Sequence, residues 1–236
     1  MNKGSYIALS GSVLKQGQID VLTHNIANAN TVGFKKDRAS FKEFLVSGIS
    51  GLPDSDDGRA MSDLSEVKTD FSAGTHFTTG NPLDIALDGK GFLCLEGNRY
   101  TRKGDLMLGR DGYLVTKGGR QVLGANGPIQ LPAGRVDISP NGEVSVDGTA
   151  IDTLKIVDFG NTGSLAELED GQYTASEPPV ASTASVNSGH LESSNVDTVK
   201  EMVQMITTLR EFEIYQKVIK AFDDAAGRVN NEMAKV

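Results

Sequence analysis

Residues 83–95 read LDIALDGKGFLCL, two short apolar runs joined by the turn-forming pair Asp88-Gly89. Runs of this length on either side of a glycine-containing turn predict antiparallel β-strands. Four further runs of the same kind follow between residues 113 and 157, each close to an Asp-Gly, Gly-Gly or Asn-Gly pair. We therefore predict a mostly antiparallel β domain over residues 81–165.

The chain on the N-terminal side of this domain has the period of a helix instead. Ile19, Leu22 and Ile26 recur at spacings of three and four residues, and residues 6–28 contain no proline, so the pattern predicts a helix there. Glycine, alanine and serine are frequent in its first half, which would allow another backbone to approach closely. Asparagines and a glycine in residues 28–33 indicate where this helix ends.

A second, longer helix is predicted at the other end of the chain, over residues 196–233, with Ser194 or Asn195 as its N-cap. Proline is absent from this stretch, and its first glycine is Gly227. Its apolar side chains fall in two adjoining stripes, and Glu211 lies off both. The first stripe comprises Met202, Met205, Leu209, Phe212, Ile219, Ala226 and Met233. The second comprises Tyr215, Val218, Phe222, Ala225 and Val229.

The length of this second helix bears on its environment. It would be about 57 Å long at 1.5 Å per residue, whereas a compact chain of 236 residues is about 45 Å across. We therefore expect the helix to project, and its two apolar faces to need more than one partner. The N-terminal helix can supply one partner, and neighbouring molecules would supply the others.

The segments between these elements complete the predicted architecture. Residues 47–65 are rich in glycine, serine, aspartate and proline and predict an exposed loop. Together the patterns indicate an α+β fold, with N- and C-terminal helices paired as a coiled-coil-like stalk and a mostly antiparallel β central region. The predicted domains are a terminal helical domain of residues 1–30 plus 195–236, a connecting extended or β segment of residues 31–80 plus 166–194, and the central β domain of residues 81–165.

Composition argues against several classes of partner. The formal net charge is −8, from 23 Lys and Arg against 31 Asp and Glu, so we expect no basic face for nucleic acid. No stretch approaches the roughly 20 apolar residues of a membrane-spanning helix, and the N-terminus lacks the apolar core of a secretory signal. We therefore expect no membrane insertion. The single cysteine, Cys94, lies between two leucines and is predicted to be buried rather than reactive.

A search for catalytic or metal-binding patterns finds only fragments. His190 and Glu192 resemble the start of a deaminase zinc motif, but no Pro-Cys-x-x-Cys follows. Asp54, Asp56 and Asp57 precede a glycine as in a calcium loop, yet a serine stands where that loop needs its final glutamate. We therefore predict no catalytic residue, no metal and no cofactor, in a protein that is not an enzyme.

Residues 19–35, IDVLTHNIANANTVGFK, resemble the N-terminal signature of the flagellar axial proteins, which are the rod, hook and hook-associated subunits. The resemblance continues in the same order along the chain at residues 79–86, 89–92, 100–102, 112–116 and 189–196. The short central region is similar to that of the rod subunits and too small for a hook subunit. Within the rod subunits, residues 210–213, 217–219 and 227–230 resemble the proximal-rod type, and the distal-rod type is the alternative.

This resemblance implies a structural role in the bacterial flagellum. Members of the family pair their terminal helices as an inner tube and place β domains outside it. The implied partners are other copies of this chain, adjacent rod proteins, and the flagellar type III export apparatus. Export without a cleaved signal would bring the protein to the periplasmic rod of the basal body.

The residues expected to form the assembly interface lie at the end of the first helix and along the second. They are Ile19, Leu22, Asn25, Ile26, Asn28, Asn30, Val199, Met202, Met205, Ile206, Leu209, Phe212, Ile219 and Phe222. Two other classes of function stay open on the residues alone. One is a surface ligand-binding module whose helices only oligomerise it, and the other is a cell-wall hydrolase with a carboxylate pair in a β-domain cleft.

Overall fold

The computed structural model describes residues 3–45 and 60–233, and the chain forms two compact units. The first, here called the helical unit, comprises Met1–Ala27, Asp37–Thr69 and Asp197–Val236. The second, here called the β unit, comprises Asn28–Lys36 and Asp70–Val196. The chain therefore passes from one unit to the other at four places.

Two helices and a β-hairpin make up the helical unit, and both predicted helices are confirmed. Helix α1 spans Lys3–Ala27, strand β1 Asp37–Leu45, strand β2 Ala60–Thr69, and helix α2 Thr198–Met233. Strands β1 and β2 pair in antiparallel fashion, and α1 contacts both strands and α2.

The loop predicted for residues 47–65 is wrong at residues 60–65, which belong to β2. The register of the hairpin places Phe41 opposite Leu64, so pairing with a distant strand overrides a local composition that is typical of loops. Residues 46–59, the rest of that prediction, lie outside the described residues.

The N-cap of α2 is Asp197, not the predicted Ser194 or Asn195. The Asp197 side-chain oxygen accepts a hydrogen bond from the Lys200 amide at 3.1 Å, and its carbonyl accepts one from the Glu201 amide at 2.9 Å. Asn195 is unavailable as a cap because its side chain is hydrogen-bonded within the β unit.

The β unit consists of short strands and two 3₁₀ turns. Its strands are β3 His76–Thr78, β4 Ile85–Asp88, β5 Phe92–Leu95, β6 Arg99–Thr101, β7 Leu106–Leu108, β8 Leu114–Thr116, β9 Leu123–Gly124, β10 Gly127–Pro128, β11 Val136–Ile138, β12 Glu143–Val146, β13 Thr149–Thr153, β14 Ile156–Asp158, β15 Leu165–Glu167, β16 Gln172–Ala175, β17 Val180–Ala181, β18 Ser185–Ser188 and β19 His190–Glu192. The 3₁₀ turns span Thr162–Ser164 and Glu169–Gly171.

Every strand pair described is antiparallel, which confirms the prediction for this region. The main sheet has six strands in the order β15-β16-β6-β5-β14-β17, and β11-β12-β13 form a three-stranded sheet. Four two-stranded ladders, β4-β18, β3-β19, β7-β8 and β9-β10, complete the unit. At the predicted Asp147-Gly148 turn between β12 and β13, the two residues have φ of 50° and 80°, as a tight hairpin requires.

Strand β5 separates two cores. Successive side chains of a strand point to opposite faces, and all four side chains of β5 are buried. Leu93 and Leu95 face an aliphatic core, whereas Phe92 and Cys94 face an aromatic one. The other buried members of the aliphatic core are Ile85, Leu87, Leu106, Leu114, Val122, Ile129, Leu131, Ile138, Val144, Val146, Leu154 and Val186. Those of the aromatic core are Tyr100, Val157, Phe159 and Tyr173.

Candidate assembly interface

Glycines of α1 receive aromatic rings of α2 inside the helical unit. A β-carbon on Gly11 would lie 2.6 Å from Tyr215 Cε1, and one on Gly4 would lie 2.6 Å from Phe222 Cζ. The two rings therefore pack directly against the α1 backbone. The small residues in the first half of α1 thus admit aromatic side chains, whereas the sequence predicted the close approach of another backbone.

An ion pair joins the same two helices further along. Lys15 Nζ lies 2.6 Å from Glu211 Oε2. Glu211 was predicted to lie off the apolar stripes of α2, but it lies beside the contact with α1. Residue numbers rise along α1 as they fall along α2 through these contacts, so the two helices run antiparallel.

The predicted interface residues of α2 lie on two faces. One face is partly covered by the rest of the chain. It includes the buried residues Glu201 and Thr208, and its members lie three or four residues apart along the helix. The predicted residues on this covered face are Met205, Phe212, Ile219 and Phe222. The predicted residues on the other face are exposed. They are Val199, Met202, Ile206 and Leu209.

The exposed residues form a continuous apolar patch on the first half of α2. Val199 is 73% exposed and Leu209 38%, and Val203 lies among them. We call Val199, Met202, Val203, Ile206 and Leu209 the α2 patch. In the second half of the helix, charged residues such as Lys217 and Lys220 occupy the corresponding face.

The predicted interface residues of α1 are mostly buried within their own unit. Ile19 and Leu22 are buried, and Ile26 is half-buried. Asn25 is 1% exposed because its side chain binds the backbone of Asp37 at the start of β1. Its Nδ2 donates to the Asp37 carbonyl at 2.9 Å, and its Oδ1 accepts from the Asp37 amide at 2.8 Å.

Asn28 and Asn30 belong to the turn that follows α1. The Asn28 carbonyl accepts a hydrogen bond from the Thr31 amide at 3.0 Å, and its side chain accepts one from the Thr31 hydroxyl at 3.2 Å. Asn30 is exposed. The asparagine series thus marks a helix end, as the sequence indicated.

A second exposed apolar face, on α1, was not among the predicted interface residues. Tyr6, Leu9 and Val13 recur at spacings of three and four residues, and all three are exposed, as is Ile7. Their exposure could have been inferred from the small residues on the opposite side of the helix, which mark the face turned toward another backbone.

Three charged side chains are buried together in the β unit, at a place that sequence reasoning missed. Lys35 Nζ lies 2.6 Å from Glu192 Oε1, and Arg102 Nη2 lies 2.9 Å from Glu192 Oε2. The Glu192 carboxylate also accepts hydrogen bonds from Arg102 Nε at 3.2 Å and from the Gly74 amide at 2.9 Å. Lys35 and Glu192 are 0% and 1% exposed.

The remaining donors of Arg102 are also occupied, and Lys35 has a second acceptor. Arg102 Nη1 donates to the carbonyls of Gly89 and Gly91 at 2.9 and 2.7 Å, and its Nη2 donates to the Leu87 carbonyl at 3.2 Å. Lys35 Nζ donates to the Ser72 carbonyl at 2.7 Å. Buried charges are tolerated when they are paired and hydrogen-bonded in this way.

Burial and pairing act in opposite directions on these groups. Desolvation acts to raise the pKa of Glu192, but Arg102 and Lys35 outweigh it and hold this pKa below its ordinary value of 4.5. Desolvation lowers the pKa of Lys35, and the partnership with Glu192 offsets only part of that effect.

The sequence did contain a signal for this cluster. Lys35, Arg102 and Glu192 each belong to one of the blocks that resemble the flagellar axial proteins. Glu192 was weighed only as the partner of His190 in a zinc motif. His190 instead bonds Thr78 Oγ1 and the Ser188 carbonyl.

Other chemical possibilities receive no support. Burial raises the pKa of the Cys94 thiol to about 11, which suppresses the reactive thiolate. Within residues 3–45 and 60–233, no group of three or more His, Cys, Asp or Glu could hold a metal ion. The candidate calcium loop at Asp54, Asp56 and Asp57 lies outside the described residues. No helix described combines the length and apolarity needed to cross a membrane.

Three family descriptions match successive parts of the chain. Residues 6–35 match "Flagella basal body rod protein", residues 86–146 match "Flagellar hook protein FlgE/F/G D1 domain", and residues 187–232 match "Flagellar basal body rod FlgEFG protein C-terminal". The first match ends at Lys35, and the last contains Glu192 and all of the α2 patch.

Similar proteins of known name cover nearly the whole chain. The flagellar basal-body rod protein FlgG of Bacillus subtilis is 34% identical over 95% of this chain and 96% of its own. FlgG of Agrobacterium fabrum is 32% identical over 96% and 98%. The flagellar basal-body rod protein FlgF of Escherichia coli is 33% identical over 98% of both chains.

The fold and these similarities define a structural protein and not an enzyme. The chain belongs to the family of flagellar basal-body rod proteins.

Proposed function

We propose that this chain is a structural subunit of the bacterial flagellar rod that assembles through the helical packing of its two termini. The rod would serve as part of the drive shaft and would enclose part of the export channel. The observation that carries the proposal is the α2 patch, an apolar surface on a helix whose opposite face already contacts α1.

The proposed mechanism is polymerisation by heterologous contacts that do not close into a ring. The α2 patch would pack against helices of adjacent subunits, with Tyr6, Leu9 and Val13 of α1 as a second surface. Full burial of an aliphatic side chain is worth roughly 1.5–3 kcal/mol. A few shared contacts can therefore offset the entropy lost when each subunit is ordered.

The finer architecture belongs to the same proposal. α1 and α2 would pair as a coiled-coil-like stalk, supported by the close packing at Gly4 and Gly11 and by the Lys15–Glu211 ion pair. The division into a terminal helical domain, a connecting segment and a central β domain is retained in the proposal. The predicted residues on the covered face of α2, such as Met205, would stabilise the stalk, and the exposed ones would contact neighbours.

The proposed location is the periplasmic part of the basal body. The protein would reach it through the flagellar type III export apparatus without a cleaved signal. Its partners would be other copies of itself and adjacent rod proteins, because the family is named for the rod.

Within the family we propose the proximal-rod type, FlgF, with the distal-rod type, FlgG, as the alternative. Relatives of both names match at nearly equal identity, so identity does not choose between them. The proximal assignment rests on the terminal segments 210–213, 217–219 and 227–230.

Electron microscopy of purified basal bodies tests the proposal. Basal bodies from cells lacking this protein should have no complete rod, and an epitope tag in the β unit should label the membrane-proximal half. Labelling of the hook-proximal half would favour the distal type. Normal rods in the deletion strain would refute the rod function.

A further inference from the structure

Three of the four places where the chain crosses between units are tied to one another inside the β unit. These three crossings follow Lys36, precede Asp70, and follow Val196, and the fourth lies between Ala27 and Asn28. The Asp70 amide donates to the Lys36 carbonyl at 2.8 Å. The Lys36 amide donates to Asn195 Oδ1 at 2.8 Å, and Asn195 Nδ2 donates to the Asp70 carbonyl at 2.7 Å. These three hydrogen bonds form a closed ring that joins all three crossing segments.

A second layer of bonds repeats the arrangement deeper in the β unit. The Gly33 amide donates to the Glu192 carbonyl at 2.8 Å. The Glu192 carboxylate joins Lys35 and the Gly74 amide, and Lys35 reaches the Ser72 carbonyl. Segments 33–35, 72–74 and 192 are thus held together again, one to four residues inward from Lys36, Asp70 and Val196.

The backbone is packed as tightly as the side chains at this second layer. Gly33 has φ of 66°, and a β-carbon on it would lie 2.8 Å from the backbone of Arg102. A β-carbon on Gly74 would collide with the Ser193 carbonyl. Arg102 then joins the layer to the carbonyls of Leu87, Gly89 and Gly91.

Stability alone is a poor explanation for this arrangement. Buried ion pairs often contribute little net stability compared with apolar residues of similar size, although loss of one partner is costly. What the two layers do supply is connection among segments that are distant in sequence, since Lys35 and Glu192 are 157 residues apart.

We propose that these two layers form a mechanical clamp, here called the junction clamp, consisting of Gly33, Lys35, Lys36, Asp70, Gly74, Arg102, Glu192 and Asn195. A load that arrives through α1 enters the β unit at Asn28, and one that arrives through α2 enters it at Val196. Because the crossings are bonded to one another, the bonds are loaded together and not one after another. The clamp thereby keeps a pulled terminal segment from peeling away from the β unit.

This inference does not depend on rod assembly, because every bond in the clamp lies within one β unit. Its test therefore uses the monomer, and failure of the clamp would leave the proposed rod function standing.

Single-molecule force spectroscopy on the full chain, held by its two termini, tests the clamp. Rupture releases the span between Lys36 and Asn195, 159 residues apart in sequence. At roughly 3.3–3.6 Å per residue this adds about 525–570 Å of extension and identifies the event. In the wild-type chain, a high-force peak should come immediately before this extension.

Asn195→Ala should lose the high-force peak, because it removes two of the three bonds in the outer ring. Val144→Ala, in the aliphatic core, is the matched control that lowers stability without touching the clamp. It should keep the peak even where chemical denaturation shows a larger loss of stability than for Asn195→Ala. Wild-type peak force in the Asn195 variant, or equal loss in both, would overturn the clamp.

Asn195→Asp keeps the test decisive should the alanine variant fail to fold. The aspartate retains the oxygen that accepts from the Lys36 amide and loses the donor to the Asp70 carbonyl. The peak should remain in this variant, but at a lower force than in the wild type. A peak force equal to that of the wild type would contradict the clamp.

Discussion

The β unit and the helical unit differ in how far they bury their apolar side chains. Both buried hydrophobic clusters lie in the β unit, whereas the buried apolar residues described in the helical unit are Ala8, Ile19 and Leu22. Of the exposed large apolar side chains described, five lie in the β unit. Four lie on α1, two on the β1–β2 hairpin and seven on α2.

This contrast indicates what each unit needs in order to be stable. Removal of apolar surface from water is the main force in folding, and the β unit achieves it with its own chain. A helix that is apolar on more than one side has to find further partners, and exposed apolar patches of this kind mark interaction surfaces. We therefore expect the helical unit to be the part whose surface other molecules complete.

Loss of the charge at Glu192 should be the most damaging change to the β unit. Glu192→Ala leaves Lys35 and Arg102 buried without an anion, and breaking a buried pair in this way costs about 3–5 kcal/mol. Urea denaturation followed by tyrosine fluorescence measures the loss, since Tyr100, Tyr113 and Tyr173 lie in the β unit.

The matched control for that change is Glu143→Ala, at an exposed position on β12. Exposed substitutions usually shift stability by no more than about 0.5 kcal/mol. Similar losses of stability in the two variants would show that the buried ion pairs of Glu192 matter no more to the β unit than an exposed side chain does.

The same glycine-to-alanine change should have unequal effects in the two units. In the β unit, Gly33→Ala meets a positive φ and the fixed backbone of Arg102, so we expect a loss of about 2–4 kcal/mol. In the helical unit, Gly11→Ala meets the ring of Tyr215, which can swing aside. The better helix propensity of alanine, about 1 kcal/mol, then offsets most of the cost.

Denaturant titration of both glycine variants gives the comparison. A larger loss of unfolding free energy for Gly11→Ala than for Gly33→Ala would contradict the contrast between a rigid β unit and a helical unit that can adjust.

Acid should weaken the β unit by a smaller amount, through Glu192. The folded-state pKa of Glu192 lies below the ordinary value of 4.5, so its contribution to stability is complete above pH ~4.5 and is lost as pH falls through the folded-state pKa. Glu192→Gln cannot titrate, and its free energy of unfolding should decline less steeply over that range. Identical pH profiles for wild type and variant would exclude Glu192 as a source of the acid sensitivity.

Local features of the fold could be predicted from the sequence. The three-four spacing of Ile19, Leu22 and Ile26 gave the first helix, and the Asp147-Gly148 pair gave a hairpin turn. Cys94 was expected to be buried because its neighbours are apolar. Each of these inferences uses residues within a few positions of one another.

Features that depend on distant partners could not be predicted in this way. β2 forms because residues 60–69 pair with residues 37–45, while the composition around it is typical of a loop. Asn195 is a good N-cap residue by type, but its bonds to Lys36 and Asp70 occupy it elsewhere. The ion pairs of Glu192 span 90 and 157 residues of sequence, so spacing cannot reveal them.

The division of α2 into a covered face and an exposed face also depends on a distant partner. Periodicity groups Leu209 with Phe212, but only the position of α1 determines which of the two is covered. Periodicity also led to the prediction that Glu211 lies off the apolar stripes, whereas its pairing with Lys15 depends on the register between the helices.

Leu209→Asp tests most directly the claim that the helical unit is completed by neighbouring subunits. Leu209 is exposed in the monomer, so the variant should fold with unchanged stability. In the rod its carboxylate would face apolar partners at a cost of several kcal/mol, and assembly should fail. Gln204→Asp adds the same charge on the same stretch of helix, at an exposed position off the α2 patch. Motility and recovery of basal bodies, at equal amounts of exported protein, should be lost in the Leu209 variant and kept in the Gln204 variant; normal rods from the Leu209 variant, or equal loss in both, would contradict the account.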